Sequence, residues 1–153
     1  MPRALRHPLL LVLCAFTISC LDDSPFVPKI EDTTFAPALG VDLAASTKTA
    51  SGLYYRDITV GGGAEVAATG DVPVATSYTL YLRTGTHVQT GDFSFTVGSG
   101  GSIPGYEEGL RGMRVGGQRQ LIIPPHLGYG SRATSGIPAN SILVYTVTLT
   151  AIN

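Results

Sequence analysis

From Val74 to Arg83 the side chains sort onto two faces with a period of two: Val74, Thr76, Tyr78, Leu80 and Leu82 on one, Ala75, Ser77, Thr79, Tyr81 and Arg83 on the other. That spacing belongs to a strand with one buried face, since a helix would scatter the same residues around its axis. The pattern returns at the end of the chain. Between Ser141 and Ile152, Leu143, Tyr145, Val147 and Leu149 point inward, while Val144, Thr146, Thr148 and Thr150 point outward. Gly52 to Val60 is strand-prone up to Gly61-Gly62-Gly63, and after a turn at Thr84-Gly85-Thr86 a short strand is predicted from Phe93 to Val97. With 19 Gly and 10 Pro to break helices, the chain is read as β-rich with many turns.

One helix interrupts the strands. Pro104 suits a first helical position, Glu107 and Glu108 stand where the macrodipole favours negative charge, and Tyr106, Leu110 and Met113 share one face. Arg111 and Arg114 lie at its far end, and Gly112, Gly116 and Gly117 limit its length. A short helix with a single apolar stripe needs a sheet to cover it. The predicted fold class is therefore α+β, an antiparallel sheet of five or six strands wrapped around one short α-helix.

The first residues carry an address. Arg3, Arg6 and His7 precede an uncharged apolar run from Leu9 to Ile18, followed by Ser19-Cys20 and the acidic pair Asp22-Asp23. As a helix this run is only about 15 Å long, half the hydrocarbon core of a bilayer, so it suits a cleaved signal better than a permanent span. Phe16-Thr17-Ile18-Ser19-Cys20 resembles a bacterial lipoprotein signal, which makes Cys20 the expected lipidation site. The only other cysteine, Cys14, lies inside the apolar run, so a processed chain has no second thiol with which to form an intramolecular disulfide. The predicted organisation is a signal peptide at 1–20, a Pro-containing tether at 21–50 and one globular domain at 51–153. The apolar stretch from Phe35 to Leu43 is expected to dock on that domain.

A formal net charge of −1, with 14% charged residues, gives no field that recruits nucleic acid or an anionic membrane surface. Membrane contact is expected only through the N-terminal lipid. His87 and His126 have no Cys, Asp or Glu at ligand spacing, and the glycine clusters lack the Lys-Ser/Thr of a phosphate loop, so no metal and no cofactor are expected. Arg111, Arg114, Arg119 and Arg132 are read as helix-end and rim charges.

Three segments in register carry a resemblance. They are Ile103-Pro104-Gly105-Tyr106-Glu107-Glu108-Gly109-Leu110, Met113-Arg114-Val115-Gly116-Gly117, and Leu121-Ile122-Ile123-Pro124-Pro125-His126-Leu127-Gly128-Tyr129-Gly130. Together with Ile137-Pro138-Ala139-Asn140-Ser141 and Leu143-Val144-Tyr145, they resemble the FKBP family of peptidyl-prolyl cis-trans isomerases over roughly residues 51–153. The resemblance implies a half-barrel sheet curled around the helix, with an apolar substrate pocket between them. Carried over by position, Tyr78, Phe93, Ile103, Tyr129, Ile137 and Tyr145 form its walls. Tyr106 forms the floor, where many relatives carry Trp. The Tyr129 hydroxyl and the Ile103 backbone N–H become the donors that hold a substrate carbonyl.

The sequence departs from the family pattern at three positions. Val88 replaces a pocket aromatic, Gln89 a carboxylate beside the substrate, and Ser102 an aliphatic residue. The implied function is an isomerase of reduced activity, exported and lipid-anchored to a bacterial membrane, facing the periplasm, with the outer membrane suggested by Leu21 after Cys20. Its partners are X–Pro segments of folding exported proteins, with macrolide inhibitors as further ligands. The alternative is a peptide-binding or chaperone module that kept the pocket and lost turnover.

Overall fold

The computed structural model describes residues 26–153 of the chain; the segment read as a signal peptide, with Cys20, lies outside the described residues. Six strands form one antiparallel sheet: β1 (Thr47–Lys48), β2 (Tyr54–Thr59), β3 (Val72–Leu82), β4 (His87–Val97), β5 (Gln118–Ile123) and β6 (Leu143–Ile152). Their spatial order is β1-β2-β5-β6-β3-β4, and α1 (Pro104–Leu110), the one α-helix among the described residues, lies in the concave face. The predicted class and architecture hold.

The inward residues of β3 and β6 meet the helix stripe in one core. Val74, Leu80, Leu143, Tyr145, Val147 and Leu149 pack with Tyr106, Leu110, Leu121 and Ile123. Helix and sheet approach closely because Gly105 and Gly109, one turn apart, face β5. A Cβ at Gly105 would stand 2.5 Å from Ile123 Cγ2, and one at Gly109 would stand 2.6 Å from both Leu121 δ-methyls. Arg119, on β5, locks the far end of the helix. It is buried, pairs with Asp57 on β2 at 2.7 and 3.0 Å, and donates to the Gly109 and Arg111 carbonyls at 2.9 and 3.0 Å. A buried cation whose N–H groups meet a carboxylate and helix-end carbonyls stabilises both termini of the contact. Arg119 is thus a helix-end charge, as read, but it is not on the rim.

Three features differ from the sequence reading. β4 begins at His87, not near Phe93, because His87 to Asp92 continue the ladder to β3, with Tyr78 opposite Gly91 and one bulge at Val88. Both faces of that stretch are largely polar, so apolar alternation gave no signal there. The helix ends at Leu110, so Met113 reaches the core from a turn in which Gly112 has φ +73°. Val144, read as outward, is buried, because the outer face of the sheet is covered.

The cover is the described part of the segment read as a tether. Ile30, Phe35, Leu39, Val41 and Leu43 pack with Tyr54, Ile122, Ile142, Val144 and Tyr81 in a second apolar cluster on the convex side. Ile30 is 2% exposed, and burying one such side chain is worth about 1.5–3 kcal/mol. Polar ties fix the register: Ala36 N–H donates to Arg83 O at 2.9 Å, Gln120 Nε2 to Leu39 O at 2.7 Å and Arg56 Nη2 to Gly40 O at 2.9 Å. A 3-10 turn at Pro37–Leu39, closed by Gly40 in the left-handed region, presents these carbonyls to the sheet. The docking expected for Phe35 to Leu43 is what the structure contains.

Candidate active site

Where the helix N-terminus meets β3, β4 and β6, a cavity of about 290 Å³ opens on the concave side. Tyr78, Phe93, Gly101, Ser102, Ile103, Tyr106, Tyr129 and Tyr145 line it. Seven of these are residues singled out from the sequence. A larger cavity, about 370 Å³, lies between Phe26 and the Pro138–Ile142 loop. It gathers none of the phenol and donor groups that converge in the smaller one.

The floor is Tyr106, on the first turn of α1, 2% exposed. Its ring meets Tyr145 at 5.1 Å and Tyr78 at 6.1 Å between centroids, both edge-on, an arrangement suited to the aromatic quadrupole. Phe93 stacks on Phe95 at 4.7 Å, and Phe95 in turn lies 5.9 Å from Tyr106. The Tyr106 hydroxyl is satisfied beneath the site. Thr76 Oγ1 donates its one proton to Phe93 O at 3.0 Å, so the 2.9 Å contact between Thr76 Oγ1 and Tyr106 Oη has the phenol as donor. That commitment leaves the ring face, without the hydroxyl, as the floor. Burial pushes the phenol well above its ordinary pKa, so it stays neutral at working pH.

Glu107, the next residue, braces the rim. Its two carboxylate oxygens accept the Gly98 N–H at 2.7 Å and the Ser102 N–H at 3.0 Å. The loop between β4 and α1 is thereby pinned at both ends beside the cavity. Gly98, at φ +106°, is wedged between Asp71, Arg111 and the Gly70 carbonyl, where a Cβ would stand 2.7–2.9 Å from each. The loop hands the chain to Ile103, whose N–H takes no acceptor among the described residues and precedes Pro104 at the helix start. Tyr129, on the far side of the mouth, is 37% exposed, and its hydroxyl meets only the Tyr145 phenol among the described residues.

Val88, Gln89 and Ile137, singled out from the sequence, do not line the cavity. Ile137 is buried in the main core. Val88 packs on the core's edge beside Gly136, and Gln89 is exposed opposite Leu80. The bulge between Leu80 and Tyr81 in the β3–β4 ladder carries Val88 out of the pairing. Sequence reasoning missed the roles of Thr76, Phe95 and Glu107. Phe95 was visible as an inward strand residue. Thr76 was also visible on the inward face, but its partner lies thirty positions away, and nothing local to Glu107 marks the N–H groups that it receives.

Comparison with known proteins bears on the family and the fold. The sequence profile described as FKBP-type peptidyl-prolyl cis-trans isomerase matches residues 63–150. FK506-binding protein 4 of Chaetomium thermophilum is 44% identical over 117 residues, which are 74% of this chain and 23% of that protein. Among solved structures, FkpA from Escherichia coli superposes with a TM-score of 0.64 at 32% identity, over 71% of this chain and 52% of that one. A peptidyl-prolyl cis-trans isomerase from Pseudomonas syringae gives 0.63 at 25% identity, over 71% and 81%. The chain spans about a quarter of the length of the curated relatives that it matches.

Proposed function

The chain belongs to the FKBP-type peptidyl-prolyl cis-trans isomerase family, and from that premise we propose that its aromatic cavity catalyses rotation about X–Pro bonds of exported proteins. The observation that carries this reading is the convergence of Tyr78, Phe93, Ile103, Tyr106, Tyr129 and Tyr145 around one cavity with a neutral aromatic floor.

The reaction breaks no bond. Amide resonance gives a barrier of about 18–20 kcal/mol, and uncatalysed X–Pro isomerisation takes tens to hundreds of seconds. In the twisted transition state resonance is lost and the group is less dipolar than the planar amide. A prolyl ring set on the face of Tyr106, between Tyr78, Phe93 and Tyr145, leaves water for an apolar slot that disfavours the planar dipole relative to the twisted form. The Ile103 N–H, without an acceptor among the described residues, and the Tyr129 hydroxyl, turning from the Tyr145 phenol, hold carbonyls flanking the rotating bond. Each tenfold acceleration needs about 1.4 kcal/mol of such differential stabilisation. No acid, base or metal has a part in the step.

The relatives include proteins named for binding FK506, and the same slot is proposed to take ligands of that macrolide type. The sequence before Phe26 adds a proposed location: export, cleavage before Cys20 and lipid anchoring on the periplasmic side of a bacterial membrane, the outer membrane by the residue after Cys20. Mass measurement of the mature N-terminus tests the anchor, and an unmodified Cys20 would refute it.

A second reading has its own support. Val88 and Gln89 stand where the family carries an aromatic and a carboxylate, and neither lines the cavity, which favours a peptide-binding or chaperone module of weak turnover. Exchange spectroscopy on a peptide with a bulky apolar residue before Pro separates the two. Faster cis-trans interconversion supports the isomerase; binding without acceleration supports the module. Tyr129→Phe is expected to weaken peptide binding with little change in stability, and unchanged affinity would remove its role.

A further inference from the structure

The cavity grades from mouth to floor. Tyr129 is 37% exposed, Tyr145 6% and Tyr106 2%. Of the two deep phenols, Tyr106 spends its proton on Thr76. The Tyr78 hydroxyl leans over β4, 4.0 Å from where a Cβ at Gly91 would stand. Among the described residues the Tyr145 hydroxyl meets only the Tyr129 phenol at the mouth, and its ring is held against Tyr106 at 5.1 Å and Tyr78 at 5.7 Å. Burial, then the neighbouring Tyr129 phenol, raises its pKa well above the ordinary value, so it remains a donor throughout the working range. A nearly buried donor left open to a ligand cavity is completed by what enters the cavity.

Resting on the isomerase reading, we infer that the Tyr145 hydroxyl donates to the carbonyl oxygen of the X–Pro amide itself and so strengthens binding at the expense of rotation rate. The flanking carbonyls are taken at the mouth by Tyr129 and Ile103. The bond that rotates occupies the interior, and once Tyr129 turns to a flanking carbonyl the Tyr145 hydroxyl, more deeply buried than that of Tyr78, is the donor released towards it. Resonance places negative charge on that oxygen in the planar cis and trans states, and twisting returns electron density to nitrogen. A donor aimed at the oxygen therefore stabilises both ground states more than the transition state, which is binding without catalytic gain. This assigns Tyr145 to setting the balance between holding and turning a client.

The test is Tyr145→Phe, which keeps the ring and removes only the hydroxyl, assayed by peptide affinity and by exchange spectroscopy on the same X–Pro peptide. Losing one hydrogen bond between neutral groups should weaken peptide binding about three- to tenfold. Because the bond is absent from the transition state, kcat should rise by the same factor, and kcat/KM should stay within about twofold of the parent. A fall in kcat/KM together with kcat, or an unchanged affinity, overturns the inference; a merely structural role gives that fall. If neither protein accelerates exchange, the isomerase reading fails instead. The affinity arm then decides the contact by itself: weaker binding by the variant supports it and equal binding refutes it.

Discussion

Replacing Glu107 by Gln tests whether the pocket rim is held by the carboxylate or only by the glycine-rich path of its loop. In the parent, one oxygen accepts the Ser102 N–H at 3.0 Å and the other the Gly98 N–H at 2.7 Å. Glutamine keeps the length but offers one acceptor and one donor, so whichever way the amide turns, one backbone N–H faces an NH2 group. A hydrogen bond to a charged acceptor is worth about 1.5–3 kcal/mol. The Gly98 contact is exposed and water can replace part of it, so we expect a net loss of about 1–2 kcal/mol. That loss should be local. Amide exchange at Gly98 and Ser102 should accelerate about 5- to 30-fold, peptide affinity should fall as Ile103 N–H loses its fixed position, and α1 should remain protected. Unchanged exchange at both amides, with unchanged affinity, would refute the claim that Glu107 positions the rim.

Two further outcomes follow from the packing. The Glu31 carboxylate, which accepts from Lys48 Nζ and Tyr54 Oη, is held at a pKa of about 2, chiefly by the Lys48 contact, against an ordinary 4.5. Because the folded value is the lower one, its stabilisation of the docked segment is complete above about 4.5 and is lost as pH falls towards about 2. Amide protection across residues 30–48 should decline in that window ahead of the main core, and even protection down to pH 2 would count against it. Gly109→Ala forces a Cβ to within 2.6 Å of the fully buried Leu121. Overpacking of about 1–3 kcal/mol should outweigh the helix-propensity gain of about 1 kcal/mol, lowering Tm by several degrees. A raised Tm would show that the helix–β5 contact has slack.

The inner half of this fold was legible because alternation in β3 and β6 places residues on one side of a sheet wherever the sheet lies. Tyr78, Leu80, Tyr145 and Val147 needed no tertiary knowledge to be put inward. Alternation does not say what covers the other side. Val144 read as exposed because its cover, Ile30 and Leu39, lies more than a hundred positions earlier. The slot was legible through motifs that keep Tyr106, Ile103 and Tyr129 in register. The pairing of Val88 and Gln89 was not, because the bulge that takes Val88 out of the β3–β4 ladder leaves no mark in composition.

The two faces of β6 also join what the sequence divided. Leu143 and Tyr145 point into the main core and the cavity, while Ile142 and Val144, their immediate neighbours, are sealed by the docked segment. Gln120 on β5 and Arg56 on β2 donate to the carbonyls of the same segment. The strand that carries the inner phenol of the site is thus clamped from behind by residues before 50, and a packed sheet passes such a constraint on because it has few voids in which to relax. The stretch read as a tether therefore belongs to the folded unit from at least Ile30.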